Sequence, residues 1–287
     1  MDISIVIVSY NTADLIVPCL SSIRQSSYGG QREVWVVDNA SHDHSAAVIR
    51  EGFPEVCLLA NDKNRGFGAA NNQALGQCRG ETVLLLNPDT LLRPDTLEKA
   101  LAYLDRHPRV GLAGASLINP DGTPQESISY RYPGQGYTRG DLSPLPGPIA
   151  CVLGAAMFAR RSVLTAVRGF DEDFFLYGED EDLCLRIRKA GWEIGCMEEA
   201  VVVHVGGQSE RGTLSAEKWR KKIRAEYLFY TKHYGPETVA RIRRADRIKA
   251  RWRLLTLGLS LPLLREKAAA LEKMGRYRVL LEETGRS

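Results

Sequence analysis

At 287 residues, with 44% hydrophobic and 25% charged side chains, the chain has room for one large α/β domain with an appendage, or for two small domains. No stretch approaches the roughly 20 apolar residues that a membrane-spanning helix needs, and Asp2 followed by the short apolar run at 3–8 does not read as a secretory leader. The formal net charge of +3 hides an asymmetry: residues 218–253 hold 13 Lys and Arg against Glu226, Glu237 and Asp246, a local +10 that leaves −7 for the rest.

Residues 3–8 (ISIVIV) are an uninterrupted β-branched run of the kind buried in a parallel sheet. Ser9-Tyr10-Asn11-Thr12 then turns the chain into an amphipathic helix reaching about Ser27. Further strands are predicted at 34–37, 56–60, 83–86 and 110–115, and a helix follows Asp38-Asn39-Ala40-Ser41. Asn87-Pro88-Asp89 ends the fourth strand, because proline cannot continue a central ladder. Strands separated by helices of this length predict right-handed βαβ units and an open, mostly parallel sheet. Residues 119–148, rich in glycine, proline and serine, read as an irregular excursion with a hairpin. Order returns with a strand at 151–158, a short helix from Ser162 and an acidic segment leading a helix to about Ala190. A strand at 201–203 follows, and Gly206-Gly207 opens a flexible loop. Beyond it Trp219, Ile223, Tyr227, Tyr230 and Tyr234 recur at helical spacing until Gly235-Pro236 stops the run. Six scattered cysteines, at no metal-ligand or redox spacing, read as core residues in a reducing compartment, so the expected location is cytoplasmic.

In open α/β sheets ligands bind beyond the carboxyl ends of the strands. Tyr10 and Asn11, Asp38 and Asn39, and Asn87 and Asp89 collect at three such ends and together describe a site. Asp89 is placed to hold a divalent cation beside phosphate oxygens; the alternative is a carboxylate that only starts a turn or caps a helix. Glu179-Asp180-Glu181-Asp182 opens a helix. Its amino terminus favours one or two carboxylates and explains four poorly. Asp180 shares a face with Cys184 and Ile187, so it is expected to point inward and to act as a general base. His204 ends a hydrophobic run just before a glycine pair, as a ligand beside a mobile loop would. In Asn64-Arg65-Gly66-Phe67-Gly68 two glycines allow close backbone approach and Arg65 can pair with phosphate. Neither the dinucleotide fingerprint nor a Walker-type loop is present.

As a set, SIVIVSYN (4–11), VVDNAS (36–41), NRGFGAANN (64–72), LLLNPD (84–89), LGAAMFARR (153–161), GFDEDFFLYGEDEDLCLRIRKAGW (169–192) and VHVGG (203–207) resemble the inverting glycosyltransferase family 2. The likeness is strongest to its rhamnosyltransferase-like branch. That resemblance implies a GT-A fold over residues 1–214, with a donor half at about 1–115 and an acceptor half at about 116–214. Residues 215–287 would then be a basic helical extension. It further implies that Asp38 receives the imide N–H of uracil or thymine, that Tyr10, Asn11, Asn39, Arg65 and Asn87 line the donor site, and that Asp89 and His204 hold Mn2+ or Mg2+. Asp180 falls at the family's catalytic base, Glu179 and Asp182 would help bind the acceptor or orient the base, and Trp192 falls on the acceptor side. One departure stands out: the family's Asp-x-Asp is Asn87-Pro88-Asp89 here, which replaces one carboxylate by a neutral amide.

The implied activity is transfer of a sugar, rhamnose from dTDP-rhamnose as first choice, from a dTDP- or UDP-linked donor to a saccharide or lipid-linked saccharide of the cell surface. Two other readings compete with it. A sugar nucleotidyltransferase would carry a glycine-rich basic loop after the first strand, which Ser9-Tyr10-Asn11-Thr12 is not. A non-catalytic nucleotide-sugar or glycan binder is favoured by Asn87 and opposed by the acidic run. No recognition motif accompanies the basic tail, so nucleic acid is not an expected partner. The tail reads either as a peripheral anchor on anionic lipid at the inner face of the cell membrane, or as a lid or homodimer contact.

Overall fold

The computed structural model describes residues 1–138, 140–142, 144–206, 215–261 and 267–285. These fall into two compact units, the first holding residues 1–132, 145–175 and 179 onward to the end of the last strand. An eight-stranded sheet is its frame. The first strands are β1 (Ile3–Ser9), β2 (Arg32–Asp38), β3 (Cys57–Ala60) and β4 (Thr82–Leu86), followed by β5 (Thr90–Leu92) and β6 (Val110–Ile118). β7 (Ile128–Ser129) and β8 (Cys151–Val152) form a separate antiparallel pair inside the excursion, and β9 (Ala156–Arg160) and β10 (Glu193–His204) complete the sheet. The spatial order is β3-β2-β1-β4-β9-β6-β10-β5.

β1 is buried at all seven positions, because parallel pairing with β2 and β4 leaves both faces to be covered. Ile3, Ile5 and Ile7 join Ile16, Cys19, Leu20 and Ile23 of the helix α1 (Ala13–Arg24) in the principal core. Further helices are α2 (Ser45–Gly52), α3 (Phe67–Leu75), α4 (Thr96–Arg106), α5 (Arg161–Ala166) and α6 (Glu179–Lys189). Three strands depart from the expected pattern. β9 runs antiparallel to both β4 and β6, so the sheet is mixed at its middle. β5 is an additional short strand, antiparallel to β10. β10 begins at Glu193, well before the expected 201–203, and a register irregularity between Met197 and Val201 carries the exposed Glu198 and Glu199.

The second unit is helical: α7 (Ser215–His233), α8 (Pro236–Ser260) and α9 (Ala268–Gly285). Ile223, Ala250, Val279 and Leu280 form its core, with Trp219, Tyr227, Tyr277 and Leu281 packed against them. Pro236 both stops α7 and starts α8, since proline at the first helical position forfeits only an N–H that has no intrahelical acceptor. Residues 133–138, 140–142, 144 and Leu176–Gly178 also belong to this unit. Asp141 accepts from Thr238 Oγ1 at 3.0 Å and from the Gly235 N–H at 3.3 Å. The expected boundary after residue 214 and the loop from Gly207 lie outside the described residues.

Candidate functional site

The parallel register sets Ser9 level with Asp38 and Asp38 level with Ala60, so three loops leave one edge of the sheet together. Asp38 is 4% exposed; its Oδ2 accepts the Ser41 N–H at 3.1 Å, and its Oδ1 is buried with no hydrogen-bond partner among the described residues. A buried carboxylate oxygen without a donor is destabilising by roughly 1–3 kcal/mol, so a ligand N–H arriving there suits it. Tyr10 is exposed on the same edge, and Asn11, at φ 53°, uses Oδ1 to accept the His42 N–H at 2.7 Å. Asn39 is buried and engaged at both ends of its amide. Nδ2 donates to Asn64 Oδ1 at 2.9 Å, while Oδ1 accepts from Asn61 Nδ2 at 3.1 Å and from the Arg65 N–H at 3.0 Å. Those bonds shape the loop that presents the exposed Arg65.

That loop is joined to the acidic segment. Gly66 has φ 85°, and a Cβ there would stand 2.6 Å from the Phe175 carbonyl oxygen, which accepts the Phe67 N–H at 2.9 Å. Asn72 bonds both the N–H and the carbonyl of Phe170, each at 2.9 Å.

Asp180 stands at the first turn of α6, half-buried. Its Oδ2 accepts the Gly154 N–H at 3.1 Å and its Oδ1 the Glu181 N–H at 3.0 Å, which fixes the plane of the carboxylate. Ala155, next to Gly154, accepts the Asn87 N–H at 2.9 Å, so Asp180 is tied to the end of β4 through one short segment. Burial and the Asp180 charge push the Glu179 carboxyl up to about 8. The Asp180 charge, with burial, pushes Glu181 up to about 10. Glu179 and Glu181, on either side of Asp180, thus resist ionising beside its charge.

Two residues beyond Asn87, Asp89 is 5% exposed and lies 3.5 Å from Nε2 of His204, Oδ1 being the near atom. Antiparallel pairing of β5 with β10 sets His204 opposite Thr90, and the Val205 N–H donates to the Asp89 carbonyl at 3.0 Å. The other ring nitrogen, Nδ1, faces Gln125 Oε1 at 2.9 Å. Gln125 Nε2 donates to the His204 carbonyl at 2.7 Å and to Asn119 Oδ1 at 2.6 Å. With both amide hydrogens donated, Oε1 is an acceptor and Nδ1 carries a hydrogen. Asn119 Nδ2 in turn donates to Thr123 Oγ1 at 2.9 Å, and Thr123 donates to Asp121 Oδ1 at 2.6 Å. A polar chain of fixed direction therefore runs from a surface carboxylate to the imidazole.

The pair fits a divalent cation. A neutral His204 held in that tautomer turns a lone pair toward a carboxylate oxygen, and 3.5 Å exceeds a good hydrogen bond. Two ligands about 2.1 Å from one cation, at roughly right angles or somewhat wider, stand about 3.0–3.4 Å apart. Among the described residues no group of three His, Cys, Asp or Glu could hold a metal, so two protein ligands would share the ion with phosphate oxygens.

The family model for glycosyl transferase family 2 matches residues 4–167. The chain belongs to this family. Among curated proteins it is 30% identical over 201 residues to an N-acetylglucosaminyl-diphospho-decaprenol L-rhamnosyltransferase of Mycobacterium tuberculosis, covering 60% of this chain and 66% of that one. It is 26% identical over 253 residues to an O-antigen biosynthesis protein, RfbC, of Myxococcus xanthus, covering 82% of this chain and 19% of that one. The chain thus spans less than two thirds of the length of these relatives. Among solved structures a mannosyltransferase from Pyrobaculum calidifontis, in complex with GDP-mannose and Mn2+, superposes with a TM-score of 0.63 at 20% identity, covering 98% of this chain and 86% of that one. The fold is that of the GT-A glycosyltransferases, a mostly parallel open sheet flanked by helices.

Within this family 2 member the residues singled out by sequence divide into two groups. Tyr10, Asn11, Asp38, Asn39, Arg65, Asn87, Asp89, Asp180 and His204 lie along one sheet edge or in the loops joined to it. Two acceptor-side expectations, for Asp182 and Trp192, are corrected. Asp182 has no exposed surface; Arg186 holds its Oδ2 through Nη2 at 2.7 Å and Nε at 2.8 Å, so it clamps α6 rather than meeting an acceptor. Trp192 precedes β10 at the opposite end of the sheet, where it packs on Gly111; from Asp180 to the end of α6 is about 13 Å of helix rise. Glu179 is buried beside Asp180, its Oε2 without a hydrogen-bond partner among the described residues. Asn39, expected beside the donor, holds the Asn64–Gly66 loop with its whole amide. Sequence reading missed Gln125, which sits on an irregular loop with no periodicity around it. Its only signal was the short run Asn119 to Gln125 of hydrogen-bonding side chains.

Proposed function

We propose that this family 2 chain is an inverting, metal-dependent glycosyltransferase acting on a nucleoside-diphosphate sugar and a hydroxyl of a saccharide or lipid-linked saccharide in cell-surface polysaccharide synthesis. The observation that carries the reading is the convergence at the end of β4: the Asp89–His204 pair at 3.5 Å, and Asp180 held on Gly154 beside the residue that bonds Asn87. Asp38 receives the imide N–H of uracil or thymine on its unpartnered Oδ1. Arg65 meets the diphosphate. Asp89 and His204 would hold Mn2+ or Mg2+, which when bound would supply positive charge against the departing diphosphate.

Asp180 takes the proton of the acceptor hydroxyl as that oxygen attacks the anomeric carbon. The bond from that carbon to the diphosphate oxygen breaks on the opposite face, and the configuration inverts. Residues 1–115 supply the donor groups and Asp180 belongs to the acceptor half, 116–214. The likeness to the mycobacterial rhamnosyltransferase favours dTDP-rhamnose as the donor. A cytoplasmic location agrees with a nucleotide-sugar donor.

Nucleotide-sugars with Mn2+ or Mg2+ should raise the melting temperature, uridine and thymidine forms above cytidine forms, and adding acceptor should release nucleoside diphosphate. Asn87, an amide in place of the first carboxylate, favours the second reading of a non-catalytic binder. Stabilisation by nucleotide-sugar without diphosphate release, across a panel of saccharide acceptors, would decide for that reading.

A further inference from the structure

The helical unit leaves one face of α8 uncovered. Ile248, Trp252, Leu255 and Leu259 follow one another at spacings of four, three and four residues and so share a stripe. They are 59%, 64%, 56% and 71% exposed. The far side of the same helix is where Ala250 is buried, against Val279 and Leu280 of α9. Single exposed apolar residues are ordinary on a protein surface, whereas four in a line along about 16 Å of one helix are a patch. Arg244 and Arg251 are exposed and fall on the same stripe by helical spacing, and Lys249 is exposed beside it. Across its length α8 carries seven Lys and Arg against Glu237 and Asp246. Among the described residues no helix is long and apolar enough to cross a membrane.

We propose that this face of α8 docks on an anionic lipid surface, lying in its plane. Trp252, Leu255 and Leu259 enter the boundary between headgroups and acyl chains, and Arg244 and Arg251 meet lipid phosphates. Charge selects this occupant. A second copy packed through the same stripe about a twofold axis would bring two basic segments together, with the exposed Glu237 the one acid of α8 in line with the stripe against Arg241, Arg244 and Arg251. A bilayer rich in phosphatidylglycerol offers both the apolar layer and the negative charge. The inference goes beyond the proposed reaction and does not depend on it.

The test is sedimentation of the full chain with vesicles of phosphatidylcholine alone or with phosphatidylglycerol added. The wild type should pellet with the anionic vesicles, less so in high salt, and remain in solution with the neutral ones. Trp252→Ser with Leu255→Ser, and separately Arg244→Gln with Arg251→Gln, should each lower the bound fraction about tenfold. All four positions are exposed, and an unchanged circular dichroism spectrum checks that the variants fold. Absence of wild-type binding, or equal binding to neutral and anionic vesicles, overturns the proposal. So does a wild-type dimer in sedimentation equilibrium that Trp252→Ser with Leu255→Ser converts to monomer, which would assign the stripe to a second copy.

Discussion

Gln125 grips His204 twice, accepting from the ring nitrogen Nδ1 at 2.9 Å and donating to the carbonyl of the same residue at 2.7 Å. Ring orientation and tautomer are thereby set from one side chain, and Nε2 is left for the Asp89 side. Partners of this kind typically govern metal affinity by 10- to 100-fold (an order-of-magnitude range). Gln125→Leu is therefore expected to weaken Mn2+ binding by about that factor in titrations with nucleoside diphosphate present, while melting temperature without metal changes little. Equal Mn2+ affinity in wild type and variant would remove Gln125 from this role.

Asp180 is held by two backbone N–H groups, so replacing it by asparagine alters charge and basicity with little change of shape. Asp180→Asn should lower transfer by roughly 100- to 10,000-fold and leave donor affinity nearly unchanged. Diphosphate release and calorimetric donor binding measure the two separately. Turnover at the wild-type rate rules this base out.

Glu179 adds a pH dependence to stability. Its carboxyl, raised to about 8 by burial and by Asp180, holds a proton in the folded chain that the unfolded chain releases near 4.5. The folded state then binds more protons between those values, and stability should fall as pH rises from about 4.5 to about 8. Glu179→Gln keeps the shape and cannot ionise, so its urea midpoint should fall less over the same interval. Parallel wild-type and variant curves would show that the group does not titrate as described. Glu181, Cys151 and Cys184 near the same helix remain in both proteins, which makes the difference between the curves the quantity to read.

Asp182 and Arg186 offer a structural counterpart. Arg186 holds the buried carboxylate and donates through Nη1 to the carbonyls of Val167 and Gly169 at 2.7 and 2.8 Å. Arg186→Met strands a buried charge and is expected to cost about 3–5 kcal/mol in urea unfolding. Asp182→Leu combined with Arg186→Met should recover much of that loss. A single variant as stable as wild type would mean that Asp182 takes up a proton or finds water.

Residues 3–8 and 83–86 revealed buried parallel strands because burial on both faces demands unbroken apolar runs. β10 escaped notice over its first half, since the bulge that follows Met197 turns Glu198 and Glu199 to solvent and breaks the apolar pattern. The antiparallel course of β9 has no local signature at all; direction follows from which neighbours a strand meets. In α6 the spacing of Asp180, Cys184 and Ile187 suggested one inward face, but Asp182, Leu183, Cys184 and Leu185 are all fully buried, so helical spacing could not separate base from clamp. Asp89 and His204 stood out as residue types at strand ends. Their 3.5 Å approach arises only because β5 folds back onto β10.

For anyone wishing to retarget this transferase, the 2.6 Å gap between an imagined methyl at Gly66 and the Phe175 carbonyl carries a design rule. The loop bearing Arg65 and the segment leading to Asp180 rest on one another without slack, so a change in that loop also moves the segment that positions the proposed base. Libraries should vary positions 64, 65, 67, 174 and 175 together and keep glycine at 66, or most variants will lose the packing of this loop on the acidic segment.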